Sequence, residues 1–237
     1  MSLIFGALVF NSCDDDTDPD INEEEEGSVT DIDGNVYRTV IIGDQEWFAE
    51  NLRTTRYNDG TPIPTGYSNA DWSALNEGAY AVYPYYDIEG LDTEADVLDA
   101  YGALYNWYAV ETGKLCPKGW HVPTYAEWAA LTDYLGGETV AGGKLKSSRT
   151  APAAHPRWDS PNTDATDEYD FSALPGGRRD NSSGTFDYVG YYGYWWSSTE
   201  YDTALAWYWL LYYHDGDVPR YGRSNRHGFS VRCIRDK

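Results

Sequence analysis

One methionine, six phenylalanines and three cysteines in 237 residues leave little of the usual flexible and sulfur-bearing filling for a protein core. Positive charge is also scarce: 17 Lys and Arg face 39 Asp and Glu, giving a formal charge of -22 and a pI of about 4.3. So acidic a chain repels polyanions, which excludes nucleic acid as a partner. No apolar run approaches the ~20 residues that span a bilayer. There is no HExxH, no GxSxG turn, no phosphate-binding glycine loop and no repeat of fixed period. What is abundant is tyrosine, at 22, and tryptophan, at 10. Both carry a polar tip on a large apolar body, so they suit an aromatic core or a surface that binds while wet. With 41% hydrophobic residues the chain can bury the core of one large domain.

The sequence divides into three parts: 1–13, 14–28 and 29–237. Met1 to Phe10 is short and apolar and leads through Asn11 and Ser12 to Cys13. This resembles the end of a secretory signal with the lipobox of bacterial lipoproteins, which makes Cys13 the expected lipidation site. No base precedes Arg38, so the basic start of such a signal is expected upstream of Met1. Nine acids without one base follow Cys13: Asp14, Asp15, Asp16, Asp18, Asp20 and Glu23 to Glu26. A block of like charge stays unfolded and reads as a spacer. Next to a lipidated cysteine it also resembles the acidic signal that sends some Bacteroidetes lipoproteins to the outer leaflet. The expected location is therefore the outer membrane, facing outward.

Folded structure is expected from Val29. Asp33-Gly34-Asn35 and Gly43-Asp44 are turn signals around a strand from Tyr37 to Ile42. Residues 57–99 read as long loops with one short helix near Ala70 to Leu75. After Pro123, Thr124 and Glu127 form a capping box, and Trp128, Leu131 and Leu135 share one helical face until Gly136-Gly137. From Phe171 onward, short aromatic runs alternate with glycine turns, predicting strands at Tyr194–Ser198, Ala204–His214 and Phe229–Ile234.

Three stretches carry a family resemblance: DIDGNVYRTVIIGDQEWFAENLRTTRYNDG from Asp31, GALYNWYAV and CPKGWHVPTYAEWAAL from Gly102 to Leu131, and FSALPGGRRD, WWSSTE and GFSVRCIRD between Phe171 and Asp236. In this order they resemble the Fibrobacter succinogenes major paralogous domain. That family is similar to the C-type lectin-like group, which includes the formylglycine-generating enzymes. The resemblance implies an α+β fold with a small twisted antiparallel sheet, one or two helices and long loops.

With Cys13 assigned to lipid, an exported chain is expected to join Cys116 to Cys233. Formylglycine-generating enzymes need a cysteine pair that holds copper, and these two cysteines stand far apart in sequence, so that activity does not carry over. The four histidines show no ligand spacing. DSPNTDATDEYD crowds Asp159, Asp164, Asp167 and Asp170 into one segment. Hard oxygen ligands suit calcium, and a solvated acidic loop is the alternative. In the strand around Trp207-Tyr208-Trp209, alternate residues face opposite ways. Trp207, Trp209 and Tyr213 share a face and, with His214, Asp215, Arg220, Tyr191 and Tyr192, form the expected ligand-binding surface. The function expected is non-catalytic binding of an extracellular glycan or protein, against a formylglycine-type oxidase or an adhesive scaffold.

Overall fold

The computed structural model describes residues 27–237, so Cys13 and the acidic block lie outside the described residues. The first strand among the described residues is β1 (Ser28–Thr30). Asp31 makes the first turn: its Oδ1 accepts the amides of Asp33 and Asn35, both at 2.9 Å. The chain returns as β2 (Val36–Ile42), turns at Gly43 and continues as β3 (Gln45–Phe48). Gly43 has φ 62, and a Cβ there would meet the Tyr134 ring at 3.0 Å, so backbone geometry and packing both call for glycine.

Three short helices and a strand pair follow: α1 (Asn69–Ala74), β4 (Tyr80–Ala81), α2 (Glu94–Tyr101), β5 (Leu104–Tyr105) and α3 (Trp107–Val110). After β6 (Trp120–His121) come α4 (Tyr125–Tyr134) and α5 (Glu138–Leu145). The Thr124–Glu127 capping box starts α4 as expected. The remaining strands are β7 (Gly176–Arg179), β8 (Phe186–Val189), β9 (Tyr192–Asp202), β10 (Leu205–Tyr212), β11 (Arg220–Ser224) and β12 (Ile234–Arg235).

The α+β class holds, but the single small sheet becomes two five-stranded ones, ordered β1-β2-β3-β12-β6 and β11-β10-β9-β7-β8. Their strand pairs are antiparallel except for one parallel contact, Gly177 with Gly193 between β7 and β9. The expected strand at Phe229–Ile234 is mostly a connector. Ser230 exchanges backbone bonds with Tyr194 and Trp196 of β9, while Cys233 accepts from Phe48 at the end of β3. It therefore stitches one sheet to the other. Cys116 and Cys233 are disulfide-bonded, with Cα atoms 5.9 Å apart.

Irregular backbone inside a core strands carbonyl oxygens that need donors. The indoles supply them. Trp196 donates to Tyr105 at 2.8 Å, Trp107 to Ser197 at 2.9 Å, Trp158 to Ala173 at 2.9 Å and Trp72 to Arg226 at 2.8 Å. Arg232, fully buried, does the same for the carbonyls of Phe48, Phe171 and Ser172, its guanidinium 4.1 Å above the Phe171 ring. Arg179 donates to Gly184 and Tyr67 and lies 4.4 Å above Trp72. Arg179 of the GGRRD stretch and Arg232 of the SVRC stretch thus answer backbone carbonyls and ring faces. Among the described residues no helix is long and apolar enough to cross a membrane.

Candidate functional site

β9 and β10 set the geometry, because directly paired residues of antiparallel strands point to the same face. Trp195 pairs with Trp209, and Gly193 with Leu211, on the face that packs under α4. Trp209 is 0% exposed and stacks on Trp128 at 5.6 Å, with Tyr125 at 5.3 Å. This corrects the sequence-based site: Trp209 is core and cannot meet a ligand. Trp207 is half-buried between Tyr125 and Tyr201, at 4.8 and 4.6 Å. Arg220 is committed to the Tyr125 hydroxyl at 2.7 Å and to Glu138 at 3.0 Å. At the other end of β10, Tyr213 meets the exposed Tyr191 edge-on at 5.1 Å, and His214 stands 3.4 Å from Asp215. Six positions of strand, about 20 Å, separate Trp207 from Tyr213, so the expected residues form two groups rather than one platform.

The opposite face carries the more open aromatic array. It takes Tyr192, Tyr194 and Trp196 from β9 and their partners Tyr212, Leu210 and Tyr208 from β10. Tyr221 of β11 pairs with Tyr208, and Arg223 with Ala206. Tyr194 and Tyr208 form a buried floor around Phe229, at 4.9 and 5.0 Å from its ring. Half-buried Tyr192 and Tyr212 meet edge-on at 5.4 Å, and the exposed Tyr188 and Tyr221 flank them. Tyr188 is 43% exposed and Tyr221 49%. Tyr188 has φ 71, a conformation costly for an aromatic residue. Its ring lies 4.9 Å from Tyr192 and under the Arg178 guanidinium at 5.1 Å. Arg178 also faces Asp180 at 3.3 Å and Asp187 at 3.8 Å, while its Nε is buried with no hydrogen-bond partner. Burial raises the phenol pKa of Tyr194, and burial with Tyr221 alongside raises that of Tyr212. These hydroxyls stay neutral, each able to donate and to accept.

Sequence reasoning named Tyr192 but missed Tyr188, Tyr221, Arg178 and Arg223. The alternation in Arg220–Ser224 was the available signal for Tyr221 and Arg223. Nothing in the sequence marked Tyr188, whose direction follows from its left-handed backbone. A separate cleft of about 620 Å³, lined by Arg38, Glu50, Asp92, Asp96 and Arg149 among others, contains none of the expected site residues.

The four acids read as candidate calcium ligands do not form one cluster. Among the described residues no three His, Cys, Asp or Glu side chains converge as metal ligands. Asp159 pairs with Arg157. Asp167 accepts from the Ser172 amide and hydroxyl, both at 2.7 Å. Asp164 and Asp170, like Asn162 and Asp167, have φ between 48 and 60. Asn and Asp tolerate the left-handed region better than other non-glycine residues, so these residue types suit the winding backbone of the loop.

His121 links its β6 position to Glu127 at 3.0 Å and Asp236 at 2.6 Å. His227 is buried against Phe229 at 5.1 Å, and burial lowers its pKa to about 4.

No curated protein and no solved structure matches the chain. Residues 40–235 match the family described as the Fibrobacter succinogenes major domain, and with that match covering most of its length the chain belongs to this family.

Proposed function

We propose that this domain is a non-catalytic binding module, held at the outer surface of the cell by lipid on Cys13, and that its ligand is a glycan laid on the tyrosine face of the second sheet. The supporting observation is the rim of that face: four rings, from Tyr188, Tyr192, Tyr212 and Tyr221, half-buried or exposed around a rigid aromatic floor. Rings with two rotatable bonds present large apolar area at low entropic cost, and neutral hydroxyls pair with sugar hydroxyls. The α+β arrangement and its long-range disulfide are compatible with the C-type lectin-like relationship suggested by the motifs. The oxidase alternative asks for two free thiols beside a metal, whereas Cys116 and Cys233 are bonded to each other.

Glycan-array binding by the full chain, repeated with Tyr212→Ala and Tyr221→Ala, tests this reading. Each substitution is expected to weaken binding about tenfold to thirtyfold, the range of a moderate hot spot, with the far-UV spectrum unchanged. Binding that survives both substitutions refutes this face, and silence across the array favours a protein ligand.

A further inference from the structure

Lys146 follows directly on α5 as its C-cap and is 0% exposed. A lysine so buried normally faces a carboxylate. Here the ammonium donates instead to three backbone carbonyl oxygens: Thr163 at 2.7 Å, Asp215 at 2.7 Å and Tyr212 at 2.9 Å. An ammonium has three donors, and each has its acceptor. The Trp158 ring lies 5.5 Å away. Burial pulls the pKa down to about 8, opposed by the nearby Asp215 and Asp164 carboxylates, so the group is charged at neutral pH.

The three carbonyls belong to separate stretches: the Asp-rich loop, the end of β10 and the turn beyond it. Their oxygens converge with negative ends together, an arrangement that repels itself without a central positive charge and that hard cations favour. α5 also clears the space for these stretches. A Cβ on Gly143 would stand 2.5 Å from the Asp164 carbonyl oxygen, and one on Gly142 would collide with that of Asp217. The Gly143 carbonyl accepts the Thr166 amide at 2.9 Å, and Thr163 donates to Tyr213 at 3.0 Å. One short helix therefore supplies the charge and receives the loop.

We propose that Lys146 is a built-in cation: its ammonium fills a carbonyl cage that, once the side chain is removed, binds a small ammonium-type ion, and it orders the Asp-rich loop where a bound metal would otherwise be needed. This inference is independent of the glycan reading, and its readouts involve no sugar.

The test is Lys146→Ala in the full chain, with amide hydrogen exchange at Thr163 and Thr166 measured in methylammonium chloride and in tetramethylammonium chloride of equal ionic strength. Exchange should accelerate about tenfold or more in the variant, be restored by methylammonium, and stay fast in tetramethylammonium, which has no N–H donor. Wild-type exchange should ignore calcium and EDTA alike. Unchanged exchange in the variant, equal rescue by both salts, or slowing of wild-type exchange by calcium would each overturn the proposal. If Lys146→Ala does not fold, the wild-type ammonium gives the answer by nitrogen-15 NMR at neutral pH: slowly exchanging Lys146 Nζ protons support the cage, and solvent-averaged ones overturn it.

Discussion

Replacing both Cys116 and Cys233 with alanine removes a link between residues 117 apart in sequence. In the chain-entropy description, a loop of that size restricts the unfolded chain by about 5 kcal/mol at 25 °C. Strain in the folded state would subtract from this, but the 5.9 Å Cα separation lies within the ordinary range. The two sulfurs are buried, Cys116 at 2% and Cys233 at 0% exposure, so the alanines add a small packing loss to the entropic one. For the roughly 210 described residues, an unfolding entropy of about 0.44 kcal/mol/K turns about 4–5 kcal/mol into a fall in Tm of about 10 °C. Urea unfolding of the double variant beside the oxidised wild type measures the loss, and the denaturant slope shows whether the unfolded chain has expanded. Burial also implies that dithiothreitol reduces the native bond only through opening of the fold, so reduction should speed up with urea. A loss below about 1 kcal/mol, or fast reduction in native buffer, would refute the view that this bond restrains the unfolded chain and is sealed inside the folded one.

Two further outcomes follow from the structure. His121 has its pKa raised by its bond to Glu127, against burial and with help from Asp236, so its contribution is complete below about pH 6.5 and is lost as pH climbs through the raised value. Burial pushes Glu127 up, but His121 and Thr124 outweigh it and hold the carboxyl at about 2, so its contribution is complete above about pH 4.5 and fades as pH falls toward 2. Denaturation across pH should show a plateau between these limits, its alkaline side flattened by His121→Gln and its acid side by Glu127→Gln; unchanged profiles would contradict the pairing. Arg232→Met should cost about 3 kcal/mol or more, because the carbonyls of Phe48, Phe171 and Ser172 lose their donor in a dry site. Calorimetry checks it, and a neutral result would mean that water replaces the guanidinium.

The sequence made α4 legible because its signals are local: a capping box, a periodic apolar face and a double glycine stop. The disulfide followed from compartment logic and needed only two candidates. α5 has little local signal because Gly142 and Gly143 are poor helix formers, although they are required by backbones that press on the helix from elsewhere. α2 had its own signal in the Thr93–Asp96 capping box, submerged in a stretch dominated by turn formers. The binding face illustrates a different limit. Alternation sorted Trp207 and Trp209 from Tyr208 and Tyr212, yet both faces of β10 are aromatic, and nothing local tells which one a helix will cover. The Asp-rich loop admits two readings from sequence because oxygen-bearing side chains serve equally as metal ligands and as residues that accept a left-handed backbone.

The connector at residues 229–233 also bears on how the chain acquires its structure. Of its neighbours in space, β3 lies far upstream and β9 much nearer in sequence, so neither sheet gains its full set of contacts until residues 229–235 have been made. Contacts of such long range make for slow folding. A chain emerging from the ribosome would therefore stay open until this segment arrives, and a mutation within it would loosen both sheets at once.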